Sequence, residues 1–298
     1  MNQTPDSKTY AAFVLTMLIG GANFIAVSLS NRELPPLFGA TLRFALATFL
    51  FFLIARAWRI PLARGRDAVG AVIYGLLNVG AAYALLYYAL VSLNAGTVAV
   101  IVASVPLFTL AIAVLFGQER LSFNRVAGGI LAIAGIAILR GFGGDFVLSY
   151  FVAAVLGAVA IAASSVVAKA YPNVHPINMN AIGTAAGTLL LAVSSLVFGE
   201  QWVLPHENTT WFAVGWLVIA GSVGLFQLFL FVIKRWTASA TVYALTGMPV
   251  IATALGIIIL DQPVTMEVLA GGALVIAAVY VGAIARQRKT SKFYRQKA

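Results

Sequence analysis

ASVPLFTL, residues 103–110, places a proline inside a long apolar run that otherwise predicts a buried helix. LTGMPVIAT, residues 245–253, repeats the arrangement, and the two prolines are 143 positions apart. The same offset places AGGILAIAG, residues 127–135, on AGGALVIAA, residues 270–278, without a gap. One offset that serves two separate motifs indicates that the chain consists of two related halves.

The composition indicates a membrane protein. Hydrophobic residues make up 61% of the 298 residues and charged residues only 9%, against roughly 45–50% and about 25% in soluble domains. Apolar stretches long enough for a membrane helix recur along the whole chain, which predicts one membrane domain, residues 1–298. The net charge of +10 lies mainly in short connections and the C-terminal tail, where membrane topology accounts for it, so we expect no nucleic-acid partner. The absence of cysteine excludes disulfides and thiolate chemistry.

Apolar windows between polar, proline or glycine positions predict ten membrane spans. Loop cations test this count, because Lys and Arg concentrate on the cytoplasmic side of a membrane. With ten spans and the N-terminus inside, 16 of the 19 Lys and Arg fall in cytoplasmic segments, and both termini are cytoplasmic. The predicted spans are 11–29, 36–57, 68–91, 95–117, 123–140, 147–168, 176–198, 211–234, 239–260 and 265–285.

The offset of 143 residues assigns five spans to each half. The first repeat is predicted at 11–140 and the second at 147–285, followed by a basic cytoplasmic tail at 286–298. Because five is odd, the second repeat must cross the membrane in the opposite sense to the first. The predicted fold is therefore all-α, with ten transmembrane helices in two inverted five-helix repeats. Many secondary transporters share this design, with the solute site at mid-depth between the halves.

Four motifs carry a resemblance to a known family: GGANF in the first span, LRFALA in the second, VPLFTLAIAVLFGQERLS at 105–122 and AGGILAIAGI at 127–136. In combination the chain resembles the drug/metabolite transporter superfamily and, within it, the EamA-type ten-helix exporters. The resemblance implies export of small metabolites, often amino acids and sometimes drugs, across a bacterial inner membrane. The chain departs from the pattern after the ninth span, where LDQPVT has Gln262 in the place of the glutamate of GQERLS.

Pro106 and Pro249 are predicted to bend the fourth and ninth spans. A proline inside a helix removes the donor for the carbonyl four residues earlier, and in hydrocarbon that carbonyl needs another partner. The functional interpretation is a pair of bent helices that line or gate a central pathway, with Ser104 among the solute-binding residues. The alternative is a static kink that improves packing.

Arg43 lies about two turns into the second span. A cation near the bilayer centre costs at least ~2.5 kcal/mol on insertion scales and normally faces the bundle interior or reaches to an interface. Arg43 can attract a carboxylate or phosphate of a solute. The alternative is a structural arginine that binds backbone carbonyls or reaches the outer headgroups.

Further polar residues lie within the spans. Asn23, Asn78 and Gln227 need hydrogen-bond partners, which neighbouring helices or a solute can supply. Tyr83 and Tyr87 share one face of the third span and Tyr243 precedes Pro249 in the ninth. A tyrosine offers a flat wall with a polar tip to a solute that carries an ammonium group. The candidate solute-binding residues are Asn23, Asn78, Tyr83, Tyr87, Ser104, Gln227 and Tyr243.

No carboxylate is predicted within a span, since Glu119, Asp261 and Glu267 lie at span ends. Proton-driven antiporters usually carry a protonatable group inside the membrane. The sequence therefore predicts facilitated diffusion, or coupling through an interfacial group such as Glu119. No cofactor or metal ligand set is expected.

The sequence favours an exporter of amino acids or related metabolites with a small-molecule substrate. Within the transporter class, a multidrug or cationic-compound exporter is the alternative. A channel or a non-transporting membrane subunit is a rival outside it. An enzyme is not expected, because the chain has neither an H-E-x-x-H motif nor an aspartate-rich pair. We expect a monomer or homodimer in the lipid bilayer.

Overall fold

The computed structural model describes residues 6–116, 147–171, 173–235, 238–263 and 265–279, with isolated positions within 127–138 and at 281. These residues form helices and connections, without strands. Seven helical segments of the described chain are long and apolar enough to cross a membrane, so the predicted all-helical, multi-pass membrane fold is confirmed. The helices are α1 (Ser7–Ser30), α2 (Pro36–Ala57), α3 (Arg66–Ala89), α4 (Ala95–Ala103), α5 (Val105–Leu115), α6 (Leu148–Ala170), α7 (Pro176–Val197), α8 (Asn208–Arg235), α9 (Ala238–Leu260) and α10 (Met266–Val279).

The ends of most predicted spans lie within a few residues of the ends of a helix in the structure. Proline marks two of the starts, because Pro36 and Pro176 occupy the first position of α2 and α7, where the missing N–H has no helical partner to lose. Most of the fifth predicted span, 123–140, lies outside the described residues, as do the tail at 286–298 and all but one of the residues of the tenth span that follow residue 279. The count of ten therefore stays a prediction.

The fourth predicted span is bent at Ser104, where α4 and α5 meet within one apolar helical segment, Ala95–Ile112. α4 ends at Ala103, Ser104 turns the chain, and Pro106 is the second residue of α5. Pro106 lies in the first turn of α5, where its missing N–H breaks no hydrogen bond of that helix, and its gating role stays a prediction. Pro249, in contrast, lies inside the continuous helix α9.

Helix packing is reciprocal between the two halves. The sequence repeat pairs α1 with α6, α2 with α7, α3 with α8, and α4–α5 with α9. α1 packs against α8 and α9, and its counterpart α6 packs against α3 and α4–α5. α2 packs against α8, α7 packs against α3, and α2 and α7 pack against each other. Each half therefore builds its core largely from helices of the other.

α2 buries one face completely in the bundle. Its inner face is fully buried at Phe44, Ala47 and Phe51. On the other side of α7, α3 approaches so closely that a Cβ on Gly75 would overlap the backbone of Gly183. Small residues allow such close contact between membrane helices.

Candidate functional site

α3 and α8 each contain a π-helical segment at equivalent positions of the two repeats. The segments are Leu76–Ala81 and Ile219–Gly224, and their first residues are 143 positions apart. π-helical turns are rare and occur often at functional sites, because the extra residue per turn re-aims the backbone and side chains. Side chains from helices of the opposite half converge on both segments.

Arg43 is fully buried and binds the π-helical segment of α8. Its Nε donates to the Ser222 hydroxyl at 3.0 Å, and its Nη2 donates to the Gly221 carbonyl at 3.0 Å. Ser222 in turn donates to the Leu217 carbonyl at 2.9 Å. A cation of the first half is thus held by polar groups of the second.

Two aromatic rings enclose the same guanidinium. Its central carbon lies 4.7 Å from the centroid of the Phe44 ring and 4.9 Å from that of Tyr83. The two rings meet edge to face at 4.6 Å. The negative faces of aromatic rings attract a cation by about 2 kcal/mol when both are desolvated, so the rings offset part of the cost of burying the charge.

Two polar atoms of this cluster have no hydrogen-bond partner among the described residues. They are Arg43 Nη1 and the Tyr87 hydroxyl, and both are buried. The Tyr87 hydroxyl nevertheless lies close enough to the guanidinium to interact with it through charge and as a hydrogen-bonding group, although without a regular hydrogen bond. A buried polar atom without a partner costs roughly 1–3 kcal/mol. In this closed conformation the guanidinium and the hydroxyl interact with each other, and a ligand would reach them only if the site opened.

Asn23 of α1 completes the cluster, which we call the Arg43 cluster: Asn23, Arg43, Phe44, Tyr83, Tyr87, Trp216, Gly221 and Ser222. Its Nδ2 donates to the Gly221 carbonyl at 3.2 Å, and its Oδ1 accepts from Trp216 Nε1 at 3.2 Å. A Cβ at Gly221 would overlap Asn23 Oδ1, so only glycine admits this contact. Both ends of the amide are engaged, which gives Asn23 a positioning role in this conformation.

The π-helical segment of α3 carries a second, neutral cluster. Asn78 donates from Nδ2 to the Tyr74 hydroxyl at 3.1 Å and accepts from the Ser164 hydroxyl at 3.3 Å. Ser164 lies on α6, the counterpart of α1. Asn78 is therefore engaged with neighbouring helices and does not join the Arg43 cluster.

The remaining candidate solute-binding residues are Ser104, Gln227 and Tyr243. Ser104 is fully buried and donates to the Ile101 carbonyl of its own segment. Gln227, one turn beyond the π-helical segment of α8, has a buried Nε2 without a partner among the described residues. Tyr243 belongs to α9, but its side chain lies outside what the structure describes, as does Glu119.

Sequence reasoning missed the groups that bind Arg43 and Asn23. Gly221 and Ser222 are small residues in an apolar run, and Trp216 has no distinguishing neighbour in the sequence. The available signal was the repeat itself, because the offset of 143 residues places Asn78 on Gly221.

At the end of the bundle that carries the α1–α2 connection, a carboxylate from each half caps a helix of the other half. Glu200 accepts from the backbone N–H groups of Leu37 and Phe38 at 3.1 and 2.7 Å, at the start of α2. Glu33 accepts from the backbone N–H groups of His206 and Glu207 just before α8. We call this end the capped end; the sequence predicts that it faces away from the cytoplasm.

The contacts of Glu33 have an electrostatic consequence. The hydrogen bond from the backbone N–H of His206 is the main cause that lowers the pKa of the Glu33 carboxyl below its usual value. The Thr210 hydroxyl and the Glu207 N–H lower it further, and partial desolvation raises it. Anions are also stabilised at the N-terminus of a helix by its dipole. The cap on α8 is therefore strongest when Glu33 is ionised.

Gln262 makes the corresponding contact to α4. Its Oε1 accepts from the Ala95 backbone N–H at 3.2 Å. The neutral residue that departs from the family pattern is thus a helix cap between the halves. A cavity of about 380 Å³ opens beside it, lined by Ser28, Asn31, Arg32, Leu90, Val91, Ser92, Leu93, Asn94, Leu260 and Gln262.

A multi-pass helical fold whose two halves pack into each other, with a polar site between them, is typical of secondary transporters. The sequence model of the EamA-like transporter family matches the chain twice, at residues 7–141 and 148–283. The chain therefore belongs to the EamA-like transporter family, of the drug/metabolite transporter superfamily, and the resemblance noted in its motifs is confirmed.

Known proteins with similar sequences are named as transporters. The chain is 29% identical over 285 residues to the uncharacterized inner membrane transporter YedA of Escherichia coli K12, with 91% of this chain and 90% of YedA covered. It is 24% identical over 294 residues to a probable amino-acid metabolite efflux pump of Salmonella typhimurium LT2, with 94% and 96% covered. One crystal structure superposes with a TM-score of 0.69 at 21% identity, over 95% of this chain and 99% of that chain, and shows the fold alone.

Proposed function

We propose that the protein is a secondary transporter that exports small metabolites, amino acids or related compounds, by alternating access at the Arg43 cluster. One observation carries the proposal: Arg43 Nη1 and the Tyr87 hydroxyl are buried without a regular hydrogen bond among the described residues, and the hydroxyl interacts with the guanidinium. A carboxylate has two oxygens that accept hydrogen bonds, one from each of these groups.

Alternating access follows from the burial of the cluster. Arg43 is fully closed off in this conformation and Tyr87 nearly so, so a solute reaches them only after the halves move apart. The π-helical segments of α3 and α8 lie where that movement has to bend the helices, since non-ideal turns are a common place for helices to deform.

The architecture we propose is ten transmembrane helices in two inverted repeats, 11–140 and 147–285. It is supported by the double match of the family model and by the reciprocal packing of the halves. With both termini cytoplasmic and the protein in an inner membrane, as named for YedA, the capped end faces outward. We propose a monomer or homodimer that acts without nucleic acid or cofactor.

The proposed energy coupling is facilitated diffusion, with an interfacial group such as Glu119 as the alternative. The Arg43 cluster contains no Asp or Glu side chain, and its charge is a guanidinium that remains protonated in proteins. The Arg43 cluster therefore contains no group suited to take up and release a proton during transport.

A multidrug or cationic-compound exporter is the second candidate. The aromatic faces of Phe44 and Tyr83 favour it, but both already lie against the Arg43 cation, which repels a second positive charge. A channel or a non-transporting subunit would give no role to the two buried polar groups, Arg43 Nη1 and the Tyr87 hydroxyl. An enzyme is not proposed, and the relatives above are named as transporters.

The proposal is tested by uptake into proteoliposomes that hold the purified protein. A panel of labelled amino acids and a set of cationic dyes are compared with and without a proton gradient. We expect saturable amino-acid flux without a gradient. Dye flux that depends on the gradient, with no amino-acid flux, would contradict both the substrate and the coupling.

A further inference from the structure

Glu200 joins the end of α7 to the start of α2 through a connected set of hydrogen bonds. Its carboxylate accepts from the backbone N–H groups of Leu37 and Phe38 at 3.1 and 2.7 Å. Within its own half it accepts from the Ser195 hydroxyl at 2.8 Å, and Ser195 accepts from Trp202 Nε1 at 3.1 Å. The centroid of the Trp202 ring lies 5.2 Å from that of Phe38. Glu200 is therefore held in position by the second half of the chain while it binds the first.

Glu33 makes the reverse connection, from the first half of the chain to the second. It lies in the α1–α2 connection and accepts from the backbone N–H groups of His206 and Glu207, just before α8. A carboxylate at a helix start is stabilised by the free N–H groups there and by the helix dipole. We call Glu33 and Glu200 the paired caps, because each binds the start of a helix in the other half of the chain.

An apolar cluster formed by both halves adjoins the paired caps. Leu34 and Phe38 of the first half pack with Val214 and Val218 of α8, and all four side chains are buried. Leu34 directly follows one capping carboxylate in the sequence, and the backbone N–H of Phe38 binds the other. Tightly packed apolar side chains exclude water and can close a pathway through a membrane protein. The interface between α2 and α8 is therefore closed where the caps bind.

The helix bound by Glu200 also carries the buried cation. Arg43 lies about 9 Å further along α2 than Leu37, at about 1.5 Å per residue. We propose that the paired caps are the gate of the transport pathway at the capped end: they hold α2 against α7 and α8, and their release opens the Arg43 cluster to this side of the membrane. The inference rests on the proposed function, since a transporter that works by alternating access needs a gate at each end.

Thiol labelling tests the gate directly, because the chain has no native cysteine. Val214→Cys places one thiol in the buried apolar cluster, and its rate of reaction with the water-soluble cationic reagent MTSET is measured in the purified full-length protein. We expect slow labelling with both caps intact, and a rate at least about tenfold higher in Glu33→Ala and in Glu200→Ala, because each variant loses hydrogen bonds to a charged group. Loss of a carboxylate alone would slow a cationic reagent, so a faster rate reports access.

Glu200→Gln keeps one acceptor oxygen without the charge, so it is expected to give a smaller rise and to fold where Glu200→Ala does not. Gln262 provides an uncharged comparison, since its Oε1 accepts a single bond from the Ala95 N–H at the start of α4. Gln262→Ala is expected to raise the rate less than the loss of either paired cap. A larger rise in Gln262→Ala would place the gate at α4 and overturn the proposal.

Two controls separate opening of the gate from a general loosening of the fold. Glu207→Gln removes a carboxylate at the same end but keeps the backbone N–H that Glu33 binds, and it is expected not to raise the rate. Val174→Cys is a second buried reporter, in a different apolar cluster at the other end of α7, and its labelling is expected to be insensitive to both caps. Rates at position 214 that ignore Glu33→Ala and Glu200→Ala, or an equal rise at position 174, would overturn the proposal.

The gate and the proposed function fail separately, because the labelling needs no solute. Saturable amino-acid flux together with labelling that ignores the paired caps would remove the gate and leave the transporter in place. Faster labelling in the cap variants, with no amino-acid flux in the wild type, would keep the gate and remove the proposed solute.

Discussion

Arg43 of α2 donates from Nε to the Ser222 hydroxyl of α8, 3.0 Å away, and both side chains are fully buried. The bond joins the first half of the chain to the second at the π-helical segment of α8. In a medium of low dielectric such bonds are strengthened, and an unpaired polar atom is correspondingly costly. The stability of the contact between the halves and the position of the guanidinium therefore depend on the same few atoms.

Ser222→Ala is expected to destabilise the protein by about 1–3 kcal/mol, because it leaves Arg43 Nε buried without an acceptor. Unfolding of the purified protein in detergent measures the loss. Ser165→Ala is the matched control, since Ser165 is exposed and its hydroxyl bonds only to the Ile161 carbonyl of its own helix. Equal losses for the two variants would contradict the role given to Ser222.

Gly221→Ala is expected to cost about 1–3 kcal/mol, as overpacking in a close contact usually does. The new Cβ overlaps Asn23 Oδ1 and displaces the amide that binds the Gly221 carbonyl. Gly215→Ala on the same helix is the control, because a Cβ there meets nothing within 4 Å. Thermal unfolding of both variants decides the point, and a stable Gly221→Ala protein would show that α1 and α8 are less closely packed.

Arg43→Lys is expected to lower amino-acid flux at least about tenfold. A lysine keeps the charge but has a single nitrogen, so it cannot bond Ser222 and Gly221 in the fork geometry and also offer Nη1 to a solute. Arg56→Lys, at an exposed position near the end of α2, is the control and should transport normally. Unchanged flux in Arg43→Lys would show that charge alone suffices.

The Glu33 cap predicts a dependence of stability on pH. The pKa of Glu33 is lowered in the folded protein, so its contribution is fully present above the unfolded-state pKa and is lost as the pH falls through the folded-state value. We expect Glu33→Gln to be less stable than the wild type at neutral pH, and the two to converge as the pH falls below about 4.5. Unfolding measured from neutral to acid pH tests this, with Glu207→Gln as a control that keeps the backbone N–H bound by Glu33. A difference that persists in acid would contradict the cap.

Much of the helical layout was predictable from the sequence because apolar length and proline position determine it. Pro36 and Pro176 mark the starts of α2 and α7 in both the sequence and the structure. The position of the break at Ser104 was not predictable, since one proline, Pro106, lies in the first turn of α5 and the other, Pro249, lies inside the continuous helix α9. The choice between the two depends on tertiary packing rather than on proline itself.

The candidate site was predictable in part. Asn23, Arg43, Tyr83 and Tyr87 stand out because polar residues in membrane spans need partners, and the structure brings these four together. Their partners include a backbone carbonyl and a serine that no composition argument singles out. The π-helical segments were also hidden, because helices that are apolar on most faces give little periodic signal from which to detect an extra residue.

If the Tyr87 hydroxyl binds a solute carboxylate, Tyr87→Phe removes the group that makes that bond and no other part of the side chain. The flux of labelled amino acids and the melting temperature are measured together, with Tyr88→Phe as the control, whose exposed hydroxyl lies 3.3 Å from that of Ser149. The account predicts that Tyr87→Phe lowers flux about tenfold or more, since a hydrogen bond to a charged group contributes roughly 1.5–3 kcal/mol, while the melting temperature stays equal or rises. Flux at the wild-type level together with a lower melting temperature would show that the hydroxyl serves the fold and would contradict the account.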